Sequence, residues 1–138
     1  MNAKSLSDKV AVSAQIAPGD VEELARRGFR TVICNRPDGE DPGQPSFEEI
    51  AAAARAAGMD AVFQPVTSAT MGLEPAQRFA VTVDSSAGPV LAYCRTGTRC
   101  TMLWTISGVL SGTPKAELRE AAARAGYDMT NLLQSLPG

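Results

Sequence analysis

Four short apolar runs, each followed by a stretch of helical character, constrain this chain's fold more than any other feature. They are Lys9 to Ile16 (KVAVSAQI), Arg30 to Cys34 (RTVIC), Asp60 to Val66 (DAVFQPV) and Pro89 to Tyr93 (PVLAY). Runs this short and apolar suit strands covered on both faces, as in a parallel sheet. The segments between them carry helix punctuation. Pro18-Gly19-Asp20 opens a helix through Arg27, and Gly28 supplies a left-handed stop. Ser46 and Glu49 stand at capping-box spacing ahead of an alanine-rich helix ending at Gly58. Pro75 lies in the first turn of a helix from about Glu74 to Ser85. Beyond the fourth run a helix ends near Gly112, Thr113-Pro114 opens another to Arg124, and Asp128 to Leu136 is a short last one. This alternation predicts an α/β fold: a central parallel sheet of about four strands flanked by helices, in a single domain over residues 1–138.

At 138 residues and 44% hydrophobic content, the chain supports one buried core. It has 13 Lys+Arg against 15 Asp+Glu and no run of four like charges, so no nucleic-acid footprint is expected. The longest uncharged stretch, Cys100 to Pro114, is too short to span a membrane. The first twenty residues contain Lys4, Asp8 and Lys9 and no apolar leader, which predicts a cytoplasmic protein. The absence of histidine removes every Ser-His-Asp, Cys-His and His-metal scheme. Cys34, Cys94 and Cys100 are spaced too irregularly for zinc, and their odd number argues against a disulfide scaffold. No metal or cofactor is expected. For an enzyme of this composition, thiol chemistry without an imidazole base is the leading candidate.

Cys94 stands at the carboxyl end of the fourth strand, where ligands collect in parallel sheets. The loop Cys94-Arg95-Thr96-Gly97-Thr98-Arg99 leads straight into a helix, so its N–H groups and the helix N-terminus form an anion site. The same field favours a thiolate, and Arg95 and Arg99 add positive charge. Gly97 permits the left-handed turn that points consecutive N–H groups inward. A nucleophile activated in this way needs no histidine. A buried cysteine before an ordinary strand-helix turn is the plainer alternative.

CRTGTR resembles the active-site loop of cysteine-based phosphatases and of rhodaneses, which share a cysteine, a central glycine and a closing arginine. From about Ala11 to Leu136 the chain also resembles the beta-lactamase-hydrolase-like protein, phosphatase-like domain family. The resemblance is carried by GFRTVI (28–33), NRPDGE (35–40), Gln44-Pro45-Ser46, Pro65-Val66 and YCRTGTR (93–99). It implies a dual-specificity-phosphatase-like fold in which some members transfer sulfur and others hydrolyse phosphate. It further implies a link to sulfide or persulfide detoxification.

Within that resemblance, three features point to sulfur transfer. Phosphatases carry five residues between cysteine and arginine, whereas Cys94 and Arg99 have the four typical of rhodaneses, a tighter ring. The histidine that precedes the phosphatase cysteine is replaced by Tyr93. The loop Thr67 to Leu73 (TSATMGL), expected to present an aspartic general acid, has no carboxylate, forgoing ~10²–10⁴-fold assistance to an alkoxide leaving group. The expected activity is therefore a rhodanese-like sulfurtransferase. Cys94 attacks the outer sulfur of thiosulfate or a persulfide, and Arg95, Thr96, Gly97, Thr98 and Arg99 hold the anion. A thiol such as glutathione then collects the sulfur from the Cys94 persulfide. The alternative is a cysteine-dependent phosphatase acting through a Cys94 phosphocysteine. A non-catalytic or redox-sensing anion module is a third class.

Cys100 falls where both families usually carry a serine or threonine that hydrogen-bonds the nucleophile. Its candidate roles are to donate weakly, to resolve an oxidised Cys94 or receive its sulfur, or simply to fill space in the first helical turn. Cys34 ends the second strand at the same sheet edge, as a back-door partner for Cys94 or an inert buried thiol. Arg36, Asp38 and Glu40 flank the expected pocket. Arg36 is placed to steer an anion and Asp38 to serve as a displaced acid, against a plain Arg36–Asp38 pair stiffening the loop.

Overall fold

The computed structural model describes residues 1–138 and places five strands in one sheet. These are β1 (Lys4–Ser5), β2 (Val10–Ser13), β3 (Thr31–Cys34), β4 (Asp60–Phe63) and β5 (Val90–Tyr93), in the spatial order β1-β2-β5-β3-β4. The four expected strands are parallel to one another; β1 pairs antiparallel with β2 and makes the sheet mixed. Every residue of β2, β3 and β5 is buried, as their apolar runs require, whereas β4 is partly exposed at an edge. The strands are shorter than the apolar runs. The chain leaves the ladder after Ser13 and Phe63, and those departures free it to build the loops above the sheet.

Six helices cover the sheet: α1 (Pro18–Arg26), α2 (Phe47–Ala56), α3 (Leu73–Ser85), α4 (Thr98–Leu110), α5 (Lys115–Arg124) and α6 (Thr130–Ser135). Side chains alternate across the strands, so one face takes Val12, Ile33, Ala92 and Cys94 with Phe79, Leu103 and Ile106. The other takes Ala11, Val32, Cys34, Leu91 and Tyr93 with Val21, Leu24, Ile50 and Ala54. A smaller cluster of Leu118, Ala122, Met129 and Leu133 fastens α5 and α6 beside α4. The capping box forms as expected: Glu49 N–H donates to Ser46 Oγ at 3.2 Å and Ser46 N–H to Glu49 Oε1 at 3.4 Å. No helix is long and apolar enough to cross a membrane.

Strand β5 lies between β2 and β3, so the loop after it opens at the carboxyl edge where the chain order switches. Asn35 N–H donates to Tyr93 O at 2.9 Å, Cys94 N–H to Ser13 O at 3.3 Å and Gln15 N–H to Arg95 O at 3.4 Å. These bonds fix the carboxyl ends of three strands around Cys94.

Candidate active site

Cys94 is completely buried one residue beyond β5, and α4 begins four residues later. Gly97 makes that sharp entry possible: it is the N-cap of α4, with φ +91° in the left-handed region where a side chain is strained. Its N–H donates to Cys94 Sγ at 3.1 Å. The Cys100 thiol does most to favour the Cys94 thiolate, burial opposes it, and the N–H groups of Cys100, Thr96 and Gly97 assist. The balance brings the Cys94 pKa down to about 5. Burial, with the neighbouring Cys94 sulfur, pushes the Cys100 thiol well up, so Cys100 keeps its proton as a donor should. Thr101, one position later, bonds Gly97 O at 2.9 Å instead. Thr96 Oγ1 donates to Thr98 Oγ1 at 3.1 Å along the loop rim.

Arg99 stands in the first turn of α4 and reaches the rim through its long side chain. Its Nη1 donates to Glu40 Oε2 at 3.0 Å and to Val66 O at 2.8 Å, and its Nη2 to Glu40 Oε1 at 2.8 Å. Arg36, whose side chain is 3% exposed, donates from Nε to the same Glu40 Oε1 at 2.8 Å and from Nη1 to Gln15 Oε1 at 2.9 Å. Its Nη2 bonds Asp41, whose carboxylate also pairs with the exposed Arg95 at 3.2 Å. Two adjacent carboxylates thus hold three arginines. The Arg99 hydrogen bond above all, opposed by burial and aided by Arg36, holds the Glu40 carboxyl down at about 2. A hollow of about 440 Å³ opens beside Arg99, lined by Glu40, Thr67, Ser68, Met71, Arg99 and Met102.

Several expectations need correction. The Arg36–Asp38 pair is absent: Arg36 binds Glu40 and Asp41, while Asp38 accepts the Phe47 N–H at 2.8 Å and caps α2. Asp38 is therefore tied to the start of α2 rather than to Arg36. Cys34 shares the strand-end region with Cys94 but packs on the opposite face, its thiol donating to Arg36 O at 3.2 Å. All three cysteines are free. Tyr93 also faces away from the loop, so its replacement of histidine says little about the chemistry at Cys94. The residue count between Cys94 and Arg99 is an equally poor gauge of ring width, because Arg99 belongs to α4 and its side chain sets its own reach.

Sequence reasoning put Glu40 at the flank without a role and passed over Asp41 and Tyr127. Tyr127, between α5 and α6, donates its hydroxyl to Thr96 O at 2.9 Å. An acidic pair after Arg36 was the only local signal for the first two, and Tyr127 had none.

Residues 2–112 match the family model of the beta-lactamase hydrolase-like protein, phosphatase-like domain. A beta-lactamase hydrolase-like protein of Xylella fastidiosa is 36% identical over 130 residues, covering 94% of this chain and 30% of the relative. The chain thus spans about 30% of the length of the curated relatives it matches. Among solved structures, a candidate phosphatase from Neisseria meningitidis is 36% identical with a TM-score of 0.87, covering 97% of this chain and 95% of that one. A candidate phosphatase from Shewanella putrefaciens shares the fold, with a TM-score of 0.69 at 20% identity, covering 91% of this chain and 94% of that one. These phosphatase-like matches overturn the expectation of sulfur transfer, and thiosulfate and glutathione as its donor and acceptor fall with it. The cysteine-phosphatase alternative agrees with them better. By its family match, extending over most of its length, the chain belongs to the beta-lactamase hydrolase-like protein, phosphatase-like domain family.

Proposed function

We propose that the protein is a cysteine-dependent phosphatase that cleaves phosphate monoesters through a Cys94 phosphocysteine. The observation that carries this reading is a buried cysteine whose thiolate is favoured without histidine, its Sγ accepting the Gly97 N–H at 3.1 Å where the loop enters α4, with Arg99 in the first turn. Cys94 Sγ attacks phosphorus, the bond to the ester oxygen breaks, and its electron pair leaves on the phenolate or alkoxide, which takes its proton from water. The N–H groups from Thr96 to Arg99 receive the equatorial oxygens as charge spreads over them. Water then attacks the phosphocysteine, releasing inorganic phosphate and restoring the thiolate.

Arg99 suits this role because of which donors it keeps. Both Nη1 hydrogens and one on Nη2 are committed to Glu40 and Val66. The Nε–H and the remaining Nη2 hydrogen form the side-on edge that matches two phosphate oxygens. Glu40 presets that edge and, held ionised by the arginines, has no proton to donate. The hollow beside Arg99 offers only the hydroxyls of Thr67 and Ser68 in place of a carboxylic acid. Both features favour aryl phosphates, whose leaving groups need least protonation.

The test is hydrolysis of p-nitrophenyl phosphate by the wild type and Cys94→Ser, with intact mass of acid-quenched enzyme. Turnover abolished in Cys94→Ser, with a transient gain of about 80 Da confined to the wild type, is the expected result. Absence of turnover and of the adduct across aryl phosphates overturns the proposal.

A further inference from the structure

We propose that Tyr127 is a positioning residue for Cys94: its hydroxyl locks the Thr96–Gly97 peptide in the orientation that aims the Gly97 N–H at the nucleophile. The inference rests on Cys94 being the reacting group, as in the phosphatase reading. A peptide unit is planar, with its C=O and N–H pointing in opposite directions. Here the Thr96 carbonyl accepts from Tyr127 at 2.9 Å and the Gly97 N–H donates to Cys94 Sγ at 3.1 Å. One plane is therefore held at both ends, from outside by a hydroxyl and from inside by sulfur. Turning it over breaks both bonds and presents the carbonyl oxygen to the thiolate. Glycine opposes such a flip least, because φ of either sign is open to it.

The contact is close as well as polar. A Cβ on Gly97 would lie 2.1 Å from Tyr127 Oη and 2.9 Å from Cζ, so the missing side chain is what admits the phenol. Tyr127 is itself well anchored. Its N–H donates to Ala122 O at 2.9 Å, and nearby Met129 is buried with Leu118 and Leu133. Burial and the nearby thiols raise its own pKa, keeping the hydroxyl protonated as a donor. Other titratable groups acting on the Cys94 site are Cys100 and Arg99 on α4 and, from the opposite face of the sheet, Cys34. Only Tyr127 comes from the α5–α6 region, which lies beyond residues 2–112 of the family match.

The experiment measures iodoacetamide alkylation of Cys94 against pH, read by peptide mass spectrometry on the full chain. Wild type, Tyr127→Phe and Tyr127→Leu are compared, each checked for folding by its thermal midpoint. Tyr127→Phe keeps the ring and loses only the hydroxyl. It is expected to raise the alkylation midpoint by about one pH unit with the thermal midpoint within about 2 °C of wild type. Tyr127→Leu, which also lacks the hydroxyl, is expected to show at least that shift. An unchanged alkylation midpoint in whichever variant folds overturns the proposal, whatever happens to the melting temperature. The phosphatase reading fails separately: a wild type inactive on aryl phosphates, with the Tyr127→Phe shift intact, removes the reaction and leaves the positioning role standing.

Discussion

Glu40→Gln is the most informative single substitution, because it preserves shape while removing one charge and one acceptor. In the wild type, Oε1 accepts from Arg36 Nε and Arg99 Nη2, both at 2.8 Å, and Oε2 accepts from Arg99 Nη1 at 3.0 Å. A glutamine must replace one oxygen by an NH2 group, which sets donor against donor. Arg36, at 3% side-chain exposure, tolerates that worse than Arg99 at 18%, so the amide turns its oxygen to the Oε1 position and Arg99 Nη1 loses its carboxylate. Breaking a fully buried ion pair costs about 3–5 kcal/mol. Glu40 is 28% exposed and Arg36 retains Asp41 and Gln15, which reduces the expected loss to about 2 kcal/mol. That corresponds to a fall of about 6 °C in melting temperature for a domain of this size. With the guanidinium no longer preset, kcat/KM for p-nitrophenyl phosphate is expected to drop about tenfold. The sign of the pH effect follows from a carboxyl held down at about 2. Its stabilisation is complete above the unfolded value near ~4.3 and is lost as pH falls through about 2, so wild type and variant converge over that window. Denaturation curves at pH 7 and pH 3 measure this. A variant matching wild type in melting temperature, and within about twofold in kcat/KM at pH 7, refutes the role assigned to Glu40.

Further outcomes follow from the same geometry. Asp38→Ala removes the acceptor for Phe47 N–H and is expected to cost about 1 kcal/mol of stability, while kcat stays near wild type. A general acid in that position would instead cost about 10²–10⁴-fold in kcat, so steady-state kinetics separates the two. The alkylation midpoint of Cys94 is expected near pH 5, with reactivity rising as pH increases through it, since the thiolate reacts. Cys100→Ala is expected to move that midpoint up by about one unit and Cys100→Ser to restore it, because a hydroxyl replaces the thiol as donor. A midpoint indifferent to Cys100→Ala contradicts the leading part given to the Cys100 thiol.

The features legible in the residues were those whose causes are contiguous. Strands β2, β3, β4 and β5 follow from local apolar runs, and the α2 start from Ser46 and Glu49 three positions apart. The loop from Cys94 into α4 was legible for the same reason, since Cys94, Gly97 and the start of α4 lie within five residues. Strand β1 was missed because its two residues are exposed, and only pairing with β2 makes them a strand. The tertiary structure alone decided what surrounds the loop. Glu40 meets Arg99 across 59 positions of chain, Val66 meets it across 33, and Tyr127 meets Thr96 across 31. No periodicity or capping signal encodes such encounters, because they depend on which strand ends are neighbours. The order β2-β5-β3 sets the Arg36–Asp41 segment beside the Cys94 loop. The same packing settled the parity of the cysteines and sent Cys34 to the far face, although it ends the strand next to Cys94. Local sequence determined a cysteine loop at the carboxyl edge of the parallel strands. Which carboxylates, arginines and hydroxyl surround that loop was decided only when the strands came together.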